Sequence, residues 1–179
     1  MAVLFALLLI VGVGVLFWTI RSLKTSNFPP NIFSNLSQTK SYLPKIETDT
    51  KKPNLEIALT SSELTSIAQA GFSYKELIIK NPVIMVNENE VDLYGNLTRP
   101  IGSEIKMTIL PTIIDGRIFW QVTKITAGKL VLPKFVNRQF ESGFSSLMDQ
   151  NLQPLYESYT VTQIKMTQDR LTIIGQLKN

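Results

Sequence analysis

The chain has 179 residues, 44% of them hydrophobic, a formal net charge of +4, and neither histidine nor cysteine. Without Cys there are no disulfides, thiolate nucleophiles, iron–sulfur clusters or zinc–thiolate sites, and without His there is no imidazole base or imidazole metal ligand. The length suits one ordinary domain plus an appendage, and any catalysis would rest on carboxylates, Lys, Tyr, or Ser/Thr activated by one of them.

Residues 1–20 carry no charged side chain, and only Gly12, Gly14 and Thr19 in that run fall outside the apolar set. As a helix the run is about 30 Å long, the thickness of one bilayer core. Residues 1–23 therefore read as a retained transmembrane anchor, carried by Val3, Leu8, Ile10, Val15, Leu16, Phe17, Trp18 and Ile20. A signal peptide fits less well: no basic residue precedes the run, the run is longer than the usual apolar region, and Trp18-Thr19-Ile20-Arg21 is a poor cleavage site. A type IV pilin stem would carry a Glu just inside, and none is present. Trp18 and Arg21 have the character of interface anchors. Arg21 and Lys24 follow the run and nothing basic precedes it, so the positive-inside rule taken alone points the domain weakly toward the cytoplasm. A basic segment upstream of Met1 would reverse that sign.

Residues 24–54 read as a basic juxtamembrane linker, with Pro29, Pro30, Pro44 and Pro53, many Ser, Thr and Asn, and no sustained period. As a flexible coil they would span roughly 30 Å. Across residues 21–52, Arg21, Lys24, Lys40, Lys45, Lys51 and Lys52 face only Glu47 and Asp49, whereas from residue 53 onward basic and acidic residues balance at 12 each. The net charge thus belongs to the segment beside the membrane. This weakens a nucleic-acid reading, which needs a basic face on the domain itself. The basic segment is either a solvated tether or an attraction to anionic headgroups.

Residues 55–179 read as the folded domain. Leu55–Leu59 is a short strand. Thr60 with Glu63 forms a capping box for a helix carrying Leu64, Ile67 and Ala68, which Gly71 ends. Leu77–Ile79 and Val83–Val86 are strand segments interrupted by Asn81-Pro82, hence kinked or at an edge. Asn87–Glu90 is a turn. In Val91–Leu97, apolar Val91, Leu93 and Leu97 alternate with Asp92, Tyr94 and Asn96, the pattern of a half-buried strand. Ile105, Met107 and Ile109 repeat the alternation. Asp115-Gly116 is a strong hairpin signal leading into Arg117–Ile125. Pro133 opens a long amphipathic helix, about Lys134 to Glu157, which Pro154 is expected to end or kink. Tyr159–Met166 and Leu171–Leu177 close as a hairpin around Gln168-Asp169. The order predicts an α+β fold: a transmembrane helix, then a curved antiparallel sheet packed on one short and one long amphipathic helix.

Several segments carry a resemblance. They are IALTSSELTSIAQ from Ile57, VIMVNENEVDLYGNL from Val83, LPTIIDGRIFWQVTKI from Leu110 and AGKLVLPKFVNRQF from Ala127, behind a single membrane helix. This layout resembles the YpmS-type family of single-pass bacterial envelope proteins and is similar, more distantly, to LmeA-like proteins and the tubular lipid-binding superfamily. The resemblance covers about residues 1–177 and brings no catalytic signature. It implies an extracytoplasmic domain whose curved sheet wraps a long helix and cradles an acyl chain.

The candidate lipid contacts are Phe119, Trp120, Phe135, Val136, Phe140, Phe144, Leu147 and Met148, which form either a groove lining or a packed core. Apolar neighbours on both faces of a strand (Phe119 beside Ile118, Ile174 beside Ile173) favour the groove. Ser103-x-x-Lys106 has a nucleophile spacing but falls on a strand, where the helical geometry it needs is missing. Asn35-Leu36-Ser37 and Asn96-Leu97-Thr98 are sequons relevant only in a eukaryotic secretory pathway. Glu88, Glu90 and Asp92 on a turn read as a solvated face rather than a cation site. The expected function is a membrane-anchored extracytoplasmic domain that binds lipid or another amphiphile, without catalysis, cofactor, metal or nucleic acid. The other reading is an envelope scaffold with a solid core whose partners are other envelope proteins.

Overall fold

The computed structural model describes residues 18–19, 21–22, 53–71, 73–74, 77–98 and 102–178. Among the described residues from 53 onward, nine strands and two helices follow in order: β1 (Asn54–Thr60), α1 (Ser61–Gly71), β2 (Ser73–Tyr74), β3 (Leu77–Val86), β4 (Val91–Leu97), β5 (Ser103–Ile114), β6 (Arg117–Ala127), β7 (Leu130–Val131), α2 (Lys134–Ser158), β8 (Tyr159–Thr167) and β9 (Arg170–Leu177). The strands form a six-stranded sheet, β2-β3-β4-β5-β6-β7, and a three-stranded sheet, β1-β9-β8, both antiparallel.

This corrects the expected fold class. Among the described residues 54% lie in strands, so the fold is mostly β rather than α+β, and two sheets replace the single curved one. No described helix is long and apolar enough to cross a membrane. The expected anchor residues Val3 to Phe17 and Ile20 lie outside the described residues, as do Lys24, Lys40, Lys45, Lys51 and Lys52 of the linker. Asn54, read as the linker's end, instead begins β1.

Between the two sheets in sequence, α1 packs along the outer side of β3. The Thr60 capping box forms as its residues dictate: the Thr60 N–H donates to Glu63 Oε2 at 2.8 Å and the Glu63 N–H to Thr60 Oγ1 at 3.2 Å. The helix then runs antiparallel to β3 and covers its outer edge with side chains spaced four apart. Ser61 Oγ accepts from the Val86 N–H (2.9 Å), Thr65 Oγ1 accepts from the Ile84 N–H (2.8 Å) and donates to the Ile84 carbonyl (3.3 Å), and Gln69 Nε2 donates to the Pro82 carbonyl (3.4 Å). Four helical residues advance about 6 Å and two strand residues about 6.7 Å, so successive helix turns meet successive outward strand groups. β1 pairs along its whole length with β9.

The opposite edge is covered in the same way. On α2, Glu141 Oε2 accepts from the Val122 N–H at 2.9 Å, and Asn137 Nδ2 lies 3.4 Å from the Val122 and Thr123 carbonyls. An open sheet edge invites pairing with another chain, and these side chains remove the groups that would do it.

The turns follow the sequence closely. Asp115 and Gly116 both have positive φ (50° and 72°), the two-residue hairpin geometry that Asp-Gly favours. The Gly116 carbonyl accepts from the Val161 N–H at 2.9 Å, tying the large sheet to β8. Asn81, at φ 50°, sits in the register shift that interrupts β3. Pro154 neither ends nor stops α2, which continues to Ser158. Gln150, whose carbonyl loses the bond Pro154 cannot donate, is exposed, so water can serve it.

Candidate lipid-facing site

The expected groove lining divides sharply. Trp120, Phe140, Phe144, Leu147 and Met148 are buried, with Trp120 and Phe144 at 0% exposure, and they join one contiguous core with Leu93, Met107 and Ile109. The Trp120 and Phe144 rings meet edge to face, centroids 5.6 Å apart at 80°. Val136 is partly buried against the same core. Inward-facing residues of both sheets converge on α2, so the side chains that could have lined an open trough are packed against one another. The apolar second faces have a plainer cause. Ile118 and Ile173 point inward, while Phe119 is exposed and Ile174 half-buried on the outer faces.

Phe135 is the other exposed member of the set, at 71%. Five residues before Phe140, it falls on the other side of the helix from the buried stripe. It belongs to a segment with an unusual surface. Between Asp115 and Glu141 there is no acidic residue, while Lys129, Lys134 and Arg138 are all present and exposed. Val131, among them, is 56% exposed. The charge balance of the domain as a whole conceals this local excess.

The same segment touches the end of the N-terminal apolar run. The Lys129 N–H donates to the Ser22 carbonyl at 3.0 Å. Trp18, Arg21, Ser22, Lys129 and Leu130 line a cleft of about 380 Å³. The turn that presents Lys129 needs Gly128, at φ 55°, whose N–H donates to the Glu104 carbonyl at 2.8 Å. Trp18 and Arg21, read from sequence as interface anchors, are thus brought together with a basic turn of the domain, a meeting of residues more than 100 positions apart that local pattern does not reveal.

A polar cluster lies on the outer face of β4 and β5. Asp92, expected on a solvated face, is only 3% exposed, and β4 is buried on both faces. The Asp92 carboxylate accepts from Asn87 Nδ2 and Thr108 Oγ1, each at 3.0 Å, and pairs with Lys106 Nζ at 2.9 Å. The Lys106 ammonium also lies 5.5 Å from the Tyr94 ring centre. Burial, aided by the Asp92 charge, pushes the Tyr94 phenol up. Burial pulls the Lys106 ammonium down, but the hydrogen bond and charge of Asp92 outweigh it, and the net shift is upward. Both directions keep these groups protonated near neutrality. The Asp92–Lys106 pair and the Asp92–Thr108 hydrogen bond clamp β4 to β5.

The remaining sequence candidates are not brought together. Ser103 and Lys106 sit at odd and even positions of β5 and so face opposite sides of the sheet. Glu88 and Glu90 stay in the turn while Asp92 enters the sheet, and among the described residues no three acidic side chains gather closely enough to hold a metal ion. Asn96 lies within β4, and Asn35 is outside the described residues. No protein-family model matches the chain, and no curated protein matches it.

Proposed function

We propose that this protein is a membrane-anchored, extracytoplasmic domain of the cell envelope that binds lipid or another amphiphile at the bilayer surface and performs no chemistry on it. The observation that carries the reading is the hydrogen bond from Lys129 to Ser22. It sets the β6–β7 turn against the end of a 20-residue uncharged run whose length matches a bilayer core. The resemblance to YpmS-type envelope proteins supports the extracytoplasmic placement. Lipid contact is assigned to the domain's surface, not to an internal groove, because the aromatic stripe of α2 is closed.

That closed interior also favours a second reading, an envelope scaffold with a solid core. Its partner would be met through the three-stranded sheet, since the outer edges of β3 and β6 are covered by helix side chains. Native mass spectrometry of the full chain released from phospholipid nanodiscs separates the two. Retained phospholipid is expected on the first reading. Release of lipid-free protein that also fails to bind a fluorescent fatty acid would overturn it in favour of the scaffold. A reporter fused after Asn179 that is active only outside the cytoplasm is expected to be active, and a silent one would refute the placement.

A further inference from the structure

The surface beside the anchor has a chemistry of its own. The β6–β7 turn and the ten residues from Lys129 to Arg138 expose one aromatic and one aliphatic side chain, Phe135 and Val131, among three cations and no acid. The cleft at its edge places Arg21 and Lys129 with Trp18, an indole that is 65% exposed. Indoles favour the level of lipid headgroups, cations near an anionic leaflet are attracted to it, and exposed Phe and Val gain by leaving water for the acyl boundary. The Gly128 N–H that shapes the turn is met by the main-chain carbonyl of Glu104.

We infer that this surface docks onto the bilayer holding the protein's own anchor. The headgroup phosphates of anionic phospholipid lie against Lys129, Lys134 and Arg138, and Phe135 and Val131 dip below the headgroups. The inference rests on the membrane-anchored reading above and sharpens it: the domain is held flat against the leaflet by its own surface rather than hanging from a tether. It also names the lipid class.

The absence of cysteine makes the test direct, because an introduced thiol is the sole labelling site. Full-length F135C, V131C and, three turns further along the same side of α2, S146C are each spin-labelled and placed in nanodiscs of phosphatidylcholine alone or mixed with phosphatidylglycerol. Accessibility to oxygen and to a water-soluble nickel chelate is then compared. The expected result is that labels at 135 and 131 lose several-fold of their nickel accessibility relative to 146 in the anionic discs, and much less in the neutral ones. Combining K129E, K134E and R138E should abolish that loss while leaving the circular dichroism melt in place, since these side chains are exposed. Labels at 135 as accessible to nickel as at 146 in both lipids would overturn the docking and leave the anchor standing. Equal shielding in both lipids would overturn the anionic-headgroup assignment. Failure of the chain to enter nanodiscs at all would overturn the membrane-anchored reading together with this one.

Discussion

Two stretches of one amphipathic segment behave as opposites. From Phe140 to Leu155, α2 presents Phe140, Phe144, Leu147, Met148 and Leu152 to a closed core. From Lys129 to Arg138, the segment leading into it leaves Val131 and Phe135 in the open among cations. Aromatic content is the same in kind. What differs is the cover: both sheets converge on the later turns, whereas the first turn lies beyond the buried stripe. The lesson is that an apolar stripe identifies neither a core nor a contact surface until the elements that could cover it are placed.

The sharpest way to break the comparison is paired truncation in the full chain held in mild detergent. F144A should cost about 3–5 kcal/mol in a denaturant titration, as expected for a large ring removed from a packed core. F135A should fall within about 0.5 kcal/mol of the parent, as an exposed site does. Comparable losses at the two positions would erase the distinction. Next in size, T65V removes the hydroxyl that serves both the N–H and carbonyl of Ile84, and should destabilise by roughly 1–3 kcal/mol. A neutral result would mean that α1 does not seal the β3 edge.

Smaller effects should appear in pH titrations of stability. Burial, partly offset by the Ile118 backbone, pushes the Tyr156 phenol up to about 12 from an ordinary 10.0. A raised value means that the folded state holds its proton longer than the unfolded chain. The associated stability is complete below pH 10 and is lost as pH rises from there toward 12. Y156F should flatten that alkaline decline in thermal melts, and an unchanged slope would remove Tyr156 as its source. The smallest effect is at Asp149, whose carboxyl is raised by burial against the opposing pull of Arg117. Ionisation there works against folding, so D149N should raise the melting temperature slightly at neutral pH and lose that advantage in acid below the ordinary carboxylate range.

Local structure was legible wherever one residue type dictates one geometry. The Thr60–Glu63 cap, the Asp115-Gly116 turn and the Asn81-Pro82 interruption each follow from side-chain reach or allowed φ. The division into two sheets was not legible, because β1 pairs with β9, more than 100 residues away, and no local period reports such a partner. A signal for α1 packing along β3 existed in Ser61, Thr65 and Gln69, polar residues spaced four apart on a helix whose other side is apolar. β2 and β7, of two residues each, are too short to show a period. The alternation in β4 correctly separated Asp92 and Tyr94 from Leu93, but alternation reports which residues share a face, not whether that face is covered. The candidate lipid contacts divide into buried and exposed members for the same reason. Their stripe was correct, yet the closing of the core over Trp120 and Phe144 is a tertiary fact. The meeting of Ser22 with Lys129 lies beyond any local pattern.

The chain's two tryptophans permit the most direct test of a closed interior with an outward lipid surface. In full-length W18F, Trp120 is the sole indole, and in W18F/W120F/F135W the sole indole replaces Phe135. Both are placed in nanodiscs whose anionic phospholipids carry brominated acyl chains, a short-range quencher of indole emission. The account predicts that emission at position 120 is untouched by bromine and that emission at 135 is quenched. Quenching at 120 with none at 135 would contradict it, placing lipid inside the fold and water where the bilayer was assigned.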